Sequence, residues 1–371
     1  MEKNPGWRLR QNTFTLLFGI LLVYVLVETR EFLYPIFMAV LFAYLLYPVG
    51  KWLEKRGLPR ILANFITVVL AMALFIGGLI LLYKQLIVFL GDFPALQEQA
   101  LENIDRLQES IDKRFGASEP DNEHWLQLQV KNTLELSGGF LSDFVSATTG
   151  TLAKFGLMPV YIFLFLYYRN KFERFVYRRV SPPNLPRIKL IIYQISNVTK
   201  HYMAGVVIVI LILCVLNSLG LFLIGVEYWL LLGIISAFIN FIPYFGTLIG
   251  GAIPLLYTLL VQGDPHKALM VTLFFLVVQF TENNILTPNI TGSKVNINPL
   301  FTILSIIVGG MIWGLPGMFL AVPYLGMFKI YCDHTEELSA WSFMLGTEGT
   351  EEHALTLEKI RRFFSRNNNA G

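Results

Sequence analysis

The clearest chemistry in the sequence lies in one apolar segment, residues 268–286, which carries Gln279, Glu282 and Asn283 near its C-terminal end. Thr272, Gln279 and Asn283 are separated by seven and four residues, a spacing that places them on one face of a helix. A carboxylate in a membrane helix costs several kcal/mol unless it is paired, protonated or hydrated. Glu282 is therefore a candidate to bind a proton, a cation or the hydroxyl groups of a solute.

A second interpretation of Glu282 stays open, because it lies only four residues from the end of its segment. There the side chain could reach the membrane interface beside Asn283 and Asn284. Other polar residues could line a cavity with it: Ser236 and Asn240 share a helical face with Gly233, and Asn217 and Ser218 lie within another apolar block. Their alternative role is ordinary hydrogen bonding between membrane helices.

Two further apolar stretches are interrupted by proline and glycine. Proline removes a backbone donor and breaks a helix, and the freed backbone groups are tolerated in a membrane only inside protein or beside a water-filled cavity. Transporters use such broken helices to bind substrate near the membrane midplane. We expect the two stretches to form a hydrated pocket against the polar side of residues 268–286; the alternative is close helix packing at small residues. The interrupting residues are Pro243, Gly246, Gly250, Gly251 and Pro254 in the first stretch, and Pro299, Gly309, Gly310, Gly314, Pro316, Gly317 and Pro323 in the second.

Signatures of catalysis are missing from the sequence. It contains no His-Glu-x-x-His zinc motif, no Gly-x-Ser-x-Gly nucleophile motif and no nucleotide-binding Gly-x-x-x-x-Gly-Lys-Ser/Thr loop. The five histidines lie at or beyond the ends of the apolar blocks, and the two cysteines cannot build a disulfide framework. The sequence predicts a protein that is not an enzyme and that needs no metal or cofactor. A solute would be moved by a gradient or by a partner.

The elements that position these residues follow from composition. Of 371 residues, 54% are hydrophobic and only 15% are charged, whereas soluble domains have about 25% charged residues. The net charge of +3 gives no indication of nucleic-acid binding. The sequence predicts an all-α polytopic membrane protein of about eight transmembrane helices, with broken or re-entrant segments in its C-terminal half. The candidate spans are 13–27, 32–47, 61–83, 151–168, 204–224, 228–242, 247–261, 268–286 and 300–331.

The distribution of charge predicts the orientation. Residues 50–60 and 169–200 are rich in Lys and Arg, which marks cytoplasmic segments, and the N-terminus is basic as well. Residues 91–146 carry eleven carboxylates against four basic residues and are expected outside. We therefore divide the chain into N-terminal helices (1–90), an extracytoplasmic helical segment (91–146), a C-terminal bundle with a cytoplasmic loop at 169–203 (147–332) and a cytoplasmic tail (333–371).

The extracytoplasmic segment has a helical pattern. Pro94 suits the first position of a helix, and an apolar stripe follows from Leu101 to Phe115. Residues 116–122 resemble a turn, after which a return helix is expected. Two interpretations remain: a lid or receptor-like cap, or a hairpin that only extends the span at 61–83 beyond the membrane. The stripe also permits association into a homo-oligomer.

An ordered set of motifs resembles the AI-2E (autoinducer-2 exporter-like) family of bacterial membrane proteins over about 90 residues. The matching residues are Phe241-Ile-Pro243-Tyr-Phe-Gly246, Gly250, Pro254, Glu282-Asn283-Asn284, Pro288, Gly292, Pro299, Gly309-Gly310, Gly314, Gly317 and Ala321-Val322-Pro323. Members of that family often have histidine before Pro299, where this chain has Asn298. Any proton coupling would then depend on Glu282.

The resemblance implies a multi-pass protein of the bacterial cytoplasmic membrane that transports a small solute, with the quorum-sensing signal autoinducer-2 as the family's namesake. The leading hypothesis is a permease or exporter of a small polar solute. A sodium/proton antiporter using Glu282 is the alternative, and a non-transporting membrane scaffold is the second. Membrane lipids are expected partners, because the basic segment at 169–200 attracts anionic lipid.

Overall fold

The computed structural model describes residues 5–115, 155–240, 245–291 and 297–348, and within these ranges the chain is helical with no strand. Two π-helical segments, Tyr257–Val261 and Glu282–Thr291, follow directly on the helices that end at Leu256 and Thr281. The α-helices are α1 (Pro5–Glu28), α2 (Arg30–Lys55), α3 (Arg60–Phe115), α4 (Met158–Arg179), α5 (Leu185–Ile224), α6 (Trp229–Ile239), α7 (Phe245–Leu256), α8 (Pro265–Thr281), α9 (Pro299–Trp313), α10 (Leu315–Asp333) and α11 (Ser339–Leu345).

The helix lengths confirm an all-α polytopic membrane protein. Among the described residues, five helical stretches are long and apolar enough to span a membrane, and four apolar helices are shorter. With 11 residues, α6 is about 16 Å long, half of the roughly 30 Å hydrocarbon core, so it cannot cross a membrane alone. The five helical stretches that are long and apolar enough to cross are Arg30–Lys55, Arg60–Arg106, Pro182–Ile224, Pro265–Ile290 and Leu315–Asp333.

Local sequence signals set where several helices begin and end. Gly225, with φ of 81°, closes α5 in the left-handed conformation that glycine adopts readily. Asp264 caps α8, since its Oδ1 accepts the backbone N–H groups of His266 and Lys267, each at 3.0 Å. These bonds, mainly the one from the Lys267 N–H, hold the pKa of the Asp264 carboxyl below its usual value. Asn298 caps α9 by accepting from the backbone N–H of Leu300.

Helix α3 differs from the expected break at Pro94. It runs through Pro94 as one helix of 56 residues, about 84 Å long. Its distal half is stabilised by tertiary contacts, because Leu96 and Ala100 are buried and Asn103 Nδ2 donates to the carbonyl oxygens of Leu260 and Val261 at 3.1 and 2.7 Å. This agrees with a segment that extends the preceding span. The expected return helix lies in residues 116–154, outside the described residues.

The basic segment at 169–203 is also helical rather than a loop. Helix α4 continues to Arg179 and α5 begins at Leu185, with only a short turn between them. Both helices continue beyond their apolar parts because the charged side chains there are solvated and do not oppose helix formation. Of the span expected at 151–168, residues 151–154 lie outside the described part of the chain.

Helix α2 lies at the centre of one half of the bundle. Ala39 and Ala43 pack with Ile162 and Leu166 of α4, while Leu41 packs with Met203 of α5 and Leu320 of α10. Helices α9 and α10 form an antiparallel hairpin beside it, in which the backbones of Gly309 and Gly317 touch. This arrangement leaves the opposite side of α5 to α6, α7 and α8.

Candidate functional site

The candidate site is built on the hairpin formed by α6 and α7. The two helices run antiparallel, and Ser236 Oγ of α6 donates a hydrogen bond to the carbonyl oxygen of Gly250 in α7 at 2.5 Å. Gly246 lies so close to the backbone of Ile239 and Asn240 that a Cβ atom would overlap it. Glycine is therefore required at this crossing. Residues 241–244, which include Pro243, lie outside the described residues.

The α6–α7 hairpin lies between α5 and α8. A Cβ atom on Gly233 of α6 would lie 2.6 Å from the Ser218 backbone of α5, and one on Gly251 of α7 would lie 3.3 Å from the Phe275 ring of α8. Both distances are below ordinary contact. Small residues thus allow the short helices to approach their neighbours closely.

A small polar pocket remains where these four helices meet. Its cavity volume of about 10 Å³ has room for about one water molecule. Helices α5, α6, α7 and α8 all contribute to the wall. The lining residues are Leu213, Asn217, Ser236, Asn240, Gly246, Gly250, Gly251, Phe275, Val278, Gln279 and Glu282.

Glu282 is the carboxylate of this pocket. It follows the last residue of α8 and begins the π-helical segment, a rare structure that is frequent at functional sites. Its side chain is only 9% exposed and is hydrogen-bonded by the Asn240 side chain of the α6–α7 hairpin. The interpretation in which Glu282 reaches the interface does not describe this structure. Asn283, by contrast, is exposed and does not line the pocket.

The remaining polar groups are hydroxyls and side-chain amides, which can accept as well as donate hydrogen bonds. The Oδ1 atom of Asn217 is buried without a hydrogen-bond partner among the described residues, and the same holds for Ser218 Oγ next to it. The described residues contain no group of three or more His, Cys, Asp or Glu side chains that could hold a metal ion. One carboxylate with neutral oxygens suits a ligand that donates hydrogen bonds or carries positive charge.

The pocket brings together only some of the residues that the sequence singled out. Ser236, Asn240, Gly246, Gly250, Gln279 and Glu282 all line it. Pro254 is buried within α7, and Pro288 is exposed in the second π segment. Gly292 lies outside the described residues.

The expectation that the second interrupted stretch would also face this pocket is wrong. Pro299 starts α9, Gly314 separates α9 from α10, and Gly317 and Pro323 lie inside α10. These helices pack against one another and against α2 and α5. The close approach of Gly309 and Gly317, with aromatic side chains around it, fills the space that a pocket would need.

Sequence reasoning missed the apolar wall, which Leu213, Phe275 and Val278 provide. Phe275, Val278 and Glu282 follow one another at intervals of three and four residues, so the face of α8 that carries Glu282 could have been extended backward to find two of them. Nothing in the sequence indicates Leu213, because it lies in a continuous apolar run.

Comparison with known proteins gives consistent results. The sequence profile of the AI-2E family transporter matches residues 14–337. Relatives include YrrI of Bacillus subtilis (strain 168), named as a candidate transport protein, at 28% identity over 81% of this chain and 85% of its own length. YhhT of Escherichia coli (strain K12), named likewise, is 25% identical over 85% and 88% of the two chains. PerM of the same strain, named as a candidate permease, is 25% identical over 80% and 85%.

Proposed function

Since the chain belongs to the AI-2E transporter family, we propose that it is a permease whose pocket around Glu282 binds a small polar solute during its passage across the bacterial cytoplasmic membrane. The membrane permease role follows from the family and from the apolar spanning helices. The solute, the pocket's part in transport and the side of each terminus are the proposal, with the N- and C-termini in the cytoplasm.

The observation that carries this proposal is the buried Glu282 carboxylate facing a broken hairpin. Helix α6 is too short to cross, and it ends at the level of Glu282, where Asn240 reaches the carboxylate. Discontinuous helices of this kind bind substrate near the midplane in other transporters. An ionisable side chain at such depth is costly and is functional by default.

The size of the pocket supports a closed conformation. A cavity of about 10 Å³ is too small for a metabolite, so we interpret the structure as a closed state. Transport requires the α6–α7 hairpin to move away from α8, which would break the hydrogen bond between Asn240 and Glu282. In an opened pocket the Glu282 carboxylate accepts hydrogen bonds from solute hydroxyl groups, and the side-chain amides of Asn240 and Gln279 donate or accept further ones. A polyol similar to autoinducer-2 suits this set, and the family's namesake supports export as the direction.

The test combines cells and vesicles. Untargeted metabolomics of cells that lack or overproduce the protein should reveal one polar metabolite whose external level follows expression. In proteoliposomes, Glu282→Gln should reduce its transport at least tenfold, while Glu336→Gln, a matched change at an exposed residue outside the bundle, should not. Unchanged metabolite levels, or full transport by Glu282→Gln, would contradict the proposal.

A second candidate function is sodium/proton exchange, which the size of the pocket favours. A dehydrated cation or a proton fits where a metabolite does not, and Glu282 with the Asn217 oxygen offers suitable ligands. A pH-gradient dye in vesicles should then recover fluorescence on addition of sodium, and Glu282→Gln should abolish the recovery. Sodium-dependent recovery without any metabolite flux would favour exchange over solute export.

The scaffold hypothesis makes the opposite prediction. It requires that deletion of residues 95–140 removes the cellular function, while Glu282→Gln preserves it. Transport activity that depends on Glu282 in purified vesicles would exclude a purely structural role.

A further inference from the structure

A basic cluster lies where the apolar parts of α2, α4 and α5 meet charged sequence, and it shares no residue with the pocket. It consists of Lys51, Arg169 and Lys200 around the ring of Tyr47, together with Glu54 and with Arg60 at the start of α3. Three of the cations converge on the ring, with Arg169 at 5.0 Å, Lys200 at 5.5 Å and Lys51 at 5.6 Å from its centroid. Each comes from a different helix, so the cluster exists only when the three helices are assembled.

One carboxylate serves the ion pairs of the basic cluster. Arg169 Nη2 donates to Glu54 Oε1 and Oε2 at 3.0 and 2.7 Å, and Arg60 Nε lies 3.6 Å from Glu54 Oε1. The four cations and Glu54 together carry three net positive charges. Glu54 is already engaged by two arginines, which leaves the charges of Lys51 and Lys200 uncompensated by it.

The geometry of the basic cluster favours an anion. Any two cations around the Tyr47 ring lie within about 11 Å of one another, close to the screening length of about 8–10 Å at physiological salt. Their repulsion is therefore only partly screened. Arg169 Nη1 is buried and has no hydrogen-bond partner among the described residues. A group with several anionic oxygens beside Lys51 and Lys200 would offset the repulsion.

We propose that the basic cluster binds the phosphate of an anionic phospholipid. A lipid is favoured over free phosphate because the cations lie where the apolar parts of the helices end. Trp52 and Tyr168, which are exposed, mark this boundary beside the cations. Such aromatic residues typically lie at headgroup level, and basic pockets between membrane helices bind anionic headgroups. The bound phosphate links α2, α4 and α5, and this role is independent of the solute that the protein transports.

The test measures lipid binding to the full-length protein in detergent. Native mass spectrometry during titration compares phosphatidylglycerol with phosphatidylcholine of the same acyl chains, and a third arm adds inorganic phosphate. The double variant Lys51→Gln/Lys200→Gln leaves the pair between Arg169 and Glu54 intact. Because each surface cation changes lipid affinity about fivefold, it should weaken phosphatidylglycerol binding about 25-fold. The control is Arg106→Gln, which removes an exposed cation on the distal part of α3, 46 residues along the helix from Arg60, and should change affinity less than twofold.

Each outcome decides the proposal. Equal phosphatidylglycerol affinity in the double variant and the wild type overturns it, as does equal binding of phosphatidylcholine by the wild type. Displacement of the lipid by millimolar inorganic phosphate would assign the cluster to a soluble phosphate and overturn the lipid source. If the double variant does not fold, the single variants Lys51→Gln and Lys200→Gln each test the expected fivefold loss.

Discussion

In the described part of the chain, two hairpins of apolar helices, α6–α7 and α9–α10, look alike in sequence and differ in structure. In the α6–α7 hairpin, Gly246 meets the backbone of Ile239, and in the α9–α10 hairpin, Gly317 meets the backbone of Gly309. Both hairpins are interrupted by glycine and proline, and both pack against α5. The polar pocket described above is lined by residues of the first hairpin and by none of the second.

The difference comes from the neighbouring helices. The α6–α7 hairpin faces polar side chains on α5 and α8, namely Asn217, Gln279 and Glu282. The α9–α10 hairpin faces α2, where Phe37 contacts the rings of Trp313 and Tyr324 at 5.3 and 5.2 Å. Breaks in membrane helices require that the freed backbone groups are buried or hydrated. The α9–α10 hairpin uses burial, and we propose that the α6–α7 hairpin uses hydration. A helix break alone therefore does not identify a transport site.

The largest effect is expected from a methyl group in the α9–α10 hairpin. In Gly317→Ala, the new Cβ would overlap the Gly309 backbone, whose carbonyl carbon would lie 2.7 Å away. Such overpacking should destabilise the protein by about 3 kcal/mol and should lower its thermal aggregation temperature in detergent. Gly78→Ala, in the open part of α3 where a Cβ meets nothing within 4 Å, is the control and should not destabilise. Equal stability of the two variants would refute the close packing of α9 on α10.

A change in the α6–α7 hairpin should affect transport rather than folding. Asn240→Ala removes the hydrogen bond to Glu282. In the opened pocket the Asn240 amide is proposed to bind the solute, and the loss of one such hydrogen bond costs about 1 kcal/mol, so transport in proteoliposomes should fall about fivefold. The control is Asn289→Ala, since the Asn289 side chain only bonds the carbonyl of Ile285 on the protein surface. Normal transport by Asn240→Ala would show that the pocket is not needed for transport.

The loss of a hydrogen bond in the α9–α10 hairpin should affect stability rather than transport. Trp313 Nε1 donates to the carbonyl oxygen of Leu26 at 2.8 Å, so Trp313→Phe should cost about 1 kcal/mol of stability. The transport rate per folded molecule should stay unchanged. Trp341→Phe, at an exposed position of α11, serves as the control for the loss of an indole. A reduced rate at full stability would show that the α9–α10 hairpin takes part in transport.

The smallest effect concerns the caps of the helices that adjoin the two hairpins. The pKa of Asp264, which caps α8, is lowered, so its ionised form stabilises the folded state above the ordinary value of 3.8 and this contribution is lost as pH falls through the lowered pKa. The melting temperature of Asp264→Asn should therefore approach that of the wild type as the pH is lowered from 6 to 3. Asn298, which caps α9, does not titrate. A difference independent of pH would show that the Asp264 charge has no role.

The polar side of the pocket could be predicted because helical spacing is local. An interval of four residues placed Ser236 with Asn240 on one face, and intervals of seven and four placed Gln279 with Thr272 and Asn283 on another, beside Glu282. Asn283 was assigned to the same face by α-helical geometry, but the π segment that begins at Glu282 changes the rotation per residue and leaves Asn283 exposed. The π-helical hydrogen bonding of this segment depends on tertiary packing and leaves no signal in the sequence.

Other features were beyond sequence reasoning for a similar reason. Proline and glycine mark the interrupted segments but do not reveal their neighbours, so the filled space around Gly317 could not be distinguished from a pocket. The continuity of α3 through Pro94 depends on contacts of Asn103 with residues about 160 positions away. The helical extensions that replace the loop at 169–203 follow from spans that continue beyond the apolar blocks.

The most direct test of the central claim, that the pocket at Glu282 becomes hydrated during transport and the α9–α10 hairpin does not, is thiol labelling in membranes. Ser236→Cys and Leu320→Cys place single thiols at buried positions in the two regions, in a background where Cys214 and Cys332 are replaced by serine. A membrane-impermeant methanethiosulfonate reagent should modify Ser236→Cys and leave Leu320→Cys unmodified. If both thiols remain unmodified while the protein transports, or if both react equally, the claim is contradicted.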